Sequence, residues 1–154
     1  MAISIKELDY VIESGLKNDE IILLPESLTS GEAKVYASTS ISLLKILRKA
    51  KIKANFLEEP EILLEQRGAE WLAPTLLVVS SIYNSNPDFF NQLVEIIKNH
   101  VISLYPSTKD HEIKLEINIQ KTKTKKTTSI KYEGTTDGLK ELSKNLGKIC
   151  KDDK

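Results

Sequence analysis

From residue 111 to residue 120 apolar and polar positions alternate strictly. Ile113, Leu115, Ile117 and Ile119 share one side, and Glu112, Lys114, Glu116, Asn118 and Gln120 the other. A period of two marks a strand buried on one face. A connection of lysines and threonines follows, and Thr128, Ile130 and Tyr132 alternate again. This predicts a second strand, antiparallel to the first and ended by Gly134. The period then changes: Leu139, Leu142, Leu146 and Ile149 recur at intervals of three and four, the apolar stripe of a helix. Packing that stripe on the hairpin predicts a shared core of Leu115, Ile117, Ile130, Leu142 and Leu146.

The earlier chain reads in the same terms. Ser4 with Glu7 three residues later forms a capping-box pattern, and Ile5, Leu8, Val11, Ile12 and Leu16 follow at helical spacing. They predict a first helix ending near Gly15. The run Ile21 to Leu24, closed by Pro25, suits a short strand buried on both faces. Residues 26–37 read as loop with possible local structure. Ser40 precedes a helix carrying Ile41, Leu43, Leu44, Ile46, Leu47 and Ala50, after which Ile52, Ala54 and Phe56 alternate with Lys51, Lys53 and Asn55. A helix between two strands at this spacing resembles a crossover unit with parallel strands, an antiparallel arrangement being the alternative. From Trp71 to Tyr83 the chain is at its most apolar, and both helix and strand fit. Asn86, Pro87 and Asp88 supply the N-cap, first-turn proline and first-turn acid of a long helix with Phe90, Leu93, Val94, Ile97, Val101 and Leu104 on one stripe. The expected architecture is one α/β domain over 1–154, with α+β as the alternative. It has a mixed sheet with helices packed on it, the C-terminal hairpin at one end, and a few flexible residues at the C-terminus.

Composition narrows the function classes. With 154 residues and 40% hydrophobic positions the chain can build one sizeable core. Lys plus Arg and Asp plus Glu number 22 each, so no net charge draws the whole molecule to nucleic acid or to an anionic membrane. Lys6, Glu7 and Asp9 interrupt the stretch where a secretory signal needs its apolar core. The apolar run from Trp71 to Val79 is too short to span a bilayer. A soluble, cytoplasmic protein without membrane contact is expected. A single cysteine, Cys150, excludes an internal disulfide and any multi-cysteine zinc site.

Candidate chemistry is sparse. The two histidines are His100, expected on a helix surface, and His111, expected at a strand end; no serine stands in a nucleophile-elbow pattern. No metal-ligand spacing occurs, and Glu58, Glu59, Glu61 and Glu65 read as a solvated acidic face. Gly134 and Gly138 flank a helix start that could offer N–H groups to an anion, but Asp137 there reads as the helix cap. The sequence therefore assigns no catalytic residue, no metal and no cofactor, and leans away from an enzyme. Two places remain. Lys121, Lys123, Lys125 and Lys126, with Lys131 beyond them, form a basic hairpin tip without an acid or an aromatic among them. It is a candidate anion-binding tip, although lysines on an edge ribbon also serve to keep sheets apart. Trp71 and Tyr83 bracket the apolar run as candidate anchors of a surface for another protein or a second copy. The alternative for that run is a central buried strand.

The helix from Asn86 to Leu104, the alternating strand, the charged hairpin, the strand ending in Lys131-Tyr132-Glu133-Gly134 and the closing Leu139-Lys140-Glu141-Leu142 helix resemble the small effector-associated components of bacterial conflict (defence) systems. The resemblance begins at Asn86, rests on element order and a Tyr-x-Gly turn, and transfers no functional residue. It implies an accessory or adaptor module. The expected function is accordingly a non-catalytic interaction module of a bacterial defence or signalling system. The alternative is a small enzyme or a nucleotide- or anion-binding protein whose site is assembled from distant residues.

Overall fold

The computed structural model describes residues 2–8, 20–25, 35–37, 39–57, 59–60, 62–64, 70–72, 75–104, 112–121 and 127–152. In chain order its elements are β1 (Ala2–Leu8), β2 (Glu20–Leu24), β3 (Val35–Ala37), α1 (Thr39–Lys49), β4 (Lys53–Phe56), β5 (Ile62–Leu64), β6 (Glu70–Leu72), β7 (Thr75–Val79), α2 (Ile82–Ser85), α3 (Phe89–Leu104), β8 (Glu112–Gln120) and β9 (Thr127–Gly134). A 3-10 turn at Thr136–Gly138 leads into α4 (Leu139–Asp152). The main sheet is mixed and runs β1-β9-β8-β7-β2-β4, with β6 pairing the first part of β8. It is the α/β arrangement that the alternation and the helical stripes predict.

Register places the apolar sets on one face. Ile117 lies opposite Ile130 on β9 and beside Leu76 on β7; Leu23 pairs with Leu76, and Ile21 with Ala54. These residues join Leu43 and Leu47 of α1, Leu93 and Ile97 of α3, and Leu142 and Leu146 of α4 in one buried cluster. The five residues predicted to share a core are all in it. The other face carries a smaller apolar cluster of Ile22, Leu24 and Leu77. Beside it, Asn118, Thr127 and Ser129 are buried, and their side-chain oxygens have no hydrogen-bond partner among the described residues. They lie closed to solvent and form no open site.

The crossover expectation holds. β2 and β4 are parallel, with α1 between them in the chain. Three expectations change. First, the segment beginning at Ser4 is a strand, not the start of a helix; Val11, Ile12 and Leu16 lie outside the described residues. Ile3 pairs with Tyr132 and Ile5 with Ile130, so an unbroken register along β9 outweighs a local capping pattern. Second, β1 covers β9, so the hairpin is not the end of the sheet. Third, Asp137 lies inside the 3-10 turn, whose N-cap is the extended Thr135 without a side-chain cap bond. The hydroxyl of Tyr132 donates to the Thr135 carbonyl and anchors this turn. Within residues 26–37, read as loop with possible local structure, Val35–Ala37 forms β3 and pairs in parallel with β5.

The start of α3 differs in detail from the prediction: the helix begins at Phe89, Pro87 and Asp88 precede it, and Asn86 closes α2. Asn86 Oδ1 accepts the Asp88 N–H at 3.2 Å, and the Gln92 N–H bonds the Asp88 carbonyl at 2.9 Å. At the β4 edge, Arg48 Nε takes the Ala54 carbonyl at 3.0 Å, which blunts that edge against further pairing. Among the described residues no helix is long and apolar enough to cross a membrane.

Candidate functional site

Helices α2 and α3 meet α4 around one glycine. A Cβ on Gly147 would stand 3.2 Å from Cε2 of Tyr83, so the glycine lets that ring settle against α4 at a distance where any side chain would require it to shift by a few tenths of an ångström. Tyr83 is half-buried and stacks on Phe90, with centroids 6.4 Å apart and planes at 21°. Phe90 meets Phe89 edge-on at 5.2 Å. On the far wall, the buried Ser143 hydroxyl donates to Asn91 Oδ1 at 2.9 Å and ties α4 to α3. Tyr83, Phe90, Asn91, Ser143 and Gly147, with Pro87, line a groove of about 350 Å³.

Its rim is basic. Lys144, Lys148 and Lys151 fall at i, i+4 and i+7 along α4, which puts them on one side of the helix. Lys144 makes a 3.4 Å pair with Glu141, exposed and therefore weak. Lys151 Nζ lies 5.9 Å from the Tyr83 centroid, a cation–π distance. Among the described residues no acidic residue lines the groove. The arrangement suits an elongated ligand with an apolar group for Tyr83 and Phe90 and negative charge for the lysines. It supplies no nucleophile beside a base.

The structure separates the residues singled out in the sequence. Tyr83 belongs to the groove. Trp71 is in β6, opposite Ile113 on β8, and its side chain lies outside the described residues. The two positions flank opposite ends of β7, so Leu76, Leu77, Val78 and Val79 between them are buried at 8% exposure or less. The middle of the apolar run is a central strand with both faces covered, while Trp71 and Leu72 belong to β6 and Ile82 and Tyr83 to α2. Lys121 directly follows β8, half-buried; Lys123, Lys125 and Lys126 lie outside the described residues, as does His111. Lys131 is on β9 and pairs with Glu116 at 3.5 Å, away from the tip. Of the acidic stretch, Glu59 is exposed and the other acids lie outside the described residues. Sequence reasoning missed Gly147 and the lysine rim, although a glycine inside a helical stripe and lysines at i, i+4, i+7 were the available signals.

His100 is not a surface residue. It is 4% exposed, with Nε2 3.5 Å from the Ser42 hydroxyl of α1. That distance is too long for an activated pair, and neither residue lines a described cleft. Burial holds the imidazole pKa below its usual 6.5. The unfolded chain therefore takes up the proton first as pH falls. The contribution is fully present above 6.5 and is lost as pH drops through 6.5 toward the folded value. Comparing His100→Gln with the parent, the loss of stability between pH 7.5 and 5.5 is expected to be smaller in the variant. Equal losses in urea melts would assign that acid sensitivity to other groups.

A second cleft, of about 450 Å³, lies beside β4, where Glu20, Arg48 and Asn55 bond one another and Lys51 and Lys53 complete the polar lining. Arg48 bonds Asn55 Oδ1 at 2.8 Å, and Asn55 Nδ2 bonds Glu20. Among the described residues no three metal-type ligands come together. No protein-family model matches the chain, and no curated protein or solved structure matches it either.

Proposed function

We propose that the protein is a non-catalytic interaction module, an accessory or adaptor protein of a cytoplasmic bacterial defence or signalling system, that takes an acidic segment of a partner protein in the Tyr83 groove. The observation that carries the reading is the groove itself: an aromatic floor, a lysine rim from α4 and, among the described residues, no acidic lining residue. The bacterial setting comes from the element order after Asn86. Apolar anchoring gives affinity, and the lysines give orientation and speed of encounter.

The test is fluorescence anisotropy of a labelled glutamate-rich peptide carrying one phenylalanine. Lys148→Glu with Lys151→Glu is expected to weaken binding at least about tenfold, with a flatter salt dependence. Replacing Lys121, Lys123, Lys125 and Lys126 by Gln is expected to leave peptide binding unchanged. Unchanged affinity in the groove variant would overturn the reading. Loss only in the hairpin-tip variant would move the anion site to the tip. Tight binding of DNA in place of peptide would change the partner class.

A further inference from the structure

The two ends of the main sheet are treated differently. At β4 the outward carbonyl of Ala54 is occupied by Arg48. At β1 the pairing with β9 is unbroken over all seven residues, Ala2 to Leu8, with no proline, glycine or bulge to turn the strand away. No strand pairs with its other side among the described residues. Ser4, Ile5, Lys6 and Glu7 are all exposed, although successive residues of a strand face opposite ways. Neither face of the middle of β1 is therefore covered. Ile5 is the most exposed large apolar side chain described, at 52%, on the same sheet face as the buried Ile130 opposite it. An open edge with a bare isoleucine at its centre is a template for another strand.

We propose that β1 pairs antiparallel with β1 of a second copy of this chain, joining the two sheets across a two-fold axis at Ile5. Antiparallel neighbours share a face, and a two-fold relation makes the interface self-complementary. A centre at Ile5 uses the whole strand: Ile5 opposes Ile5, Ser4 opposes Lys6, Ile3 opposes Glu7 and Ala2 opposes Leu8. No like charges meet in this register. A centre at Lys6 would set Lys6 against Lys6, which like-charge repulsion disfavours. The self-pairing also covers Ile5, which the helices leave bare. The surface is small, so the dimer is weak, with a Kd on the order of 100 μM. It stands apart from the Tyr83 groove, and neither reading rests on the other.

Sedimentation equilibrium of the full chain, from about 10 μM to about 1 mM, tests the pairing. The parent is expected to pass from monomer to dimer over this range. Ile5→Lys changes a side chain that is already half in solvent, and it is expected to keep the fold while weakening the dimer at least about tenfold. Ile5→Cys is expected to give a disulfide-linked dimer on mild oxidation, and Glu7→Cys, far from its own copy in this register, is not. Native Cys150 is buried and gives the parent no such link. A parent that stays monomeric at the highest concentration, or a dimer as strong with Ile5→Lys, overturns the proposal. Crosslinking through Glu7→Cys but not Ile5→Cys overturns the register.

Discussion

Replacing Phe90 by Ala is expected to lower the free energy of unfolding by about 3 to 5 kcal/mol, the range for removing a buried aromatic ring. Phe90 is 2% exposed, stacked on Tyr83 and edge-on to Phe89, within the main core cluster. The loss combines transfer of the ring with a void that the flanking helices can close only in part. Tyr83 would also lose the surface that orients it, so binding in the groove should weaken in the same variant. Phe90→Leu refills much of the volume and is expected to cost about 1 to 2 kcal/mol. Urea melts of the three proteins check the order. A Phe90→Ala midpoint equal to that of the parent would mean that the ring does not hold α2, α3 and α4 together.

How far the sequence could be read depended on how many faces each element buries. β8 and α4 each carry apolar residues on one side only, although Asn118 on the other side of β8 is also buried, so their periods of two and about 3.6 stood out, and Leu115, Ile117, Ile130, Leu142 and Leu146 were legible as partners from the sequence. β7 buries both sides: Leu76 and Val78 face the helices, and Leu77 faces the smaller cluster. Such a strand has no period, and helix and strand look alike in it. β1 failed for another reason. Its seven pairs to β9 are long-range, whereas the Ser4 and Glu7 pattern is local, and the local signal was the one that could be read. The groove had a similar limit. Lysine spacing on α4 was visible, but the approach of Tyr83 to Gly147 depends on how α2 is carried there by β7. A glycine in a helix interior is locally unfavourable, so Gly147 was the one letter in that helix asking for a packing reason.

Leu142→Ala is expected to cost about 2 to 5 kcal/mol, a large share of the roughly 5 to 15 kcal/mol that holds a domain of this kind together. Leu142 is 1% exposed and lies in the same cluster as Leu115, Ile117, Ile130, Tyr132 and Leu146. It therefore sits on the seam where the stripe of α4 meets the inward face of the hairpin. That seam is what brings α4, and with it Gly147 and the lysine rim, against α3. The size of the loss within the range depends on how much the seam collapses, and the filled interior between a sheet and a helix gives little room for collapse. Lys140→Ala on the exposed side of the same helix is the control, and it is expected to change stability by less than about 0.5 kcal/mol. Denaturant melts of both variants at neutral pH decide the matter. Midpoints that coincide for Leu142→Ala and Lys140→Ala would remove Leu142 from the core and leave α4 without its anchor on the hairpin.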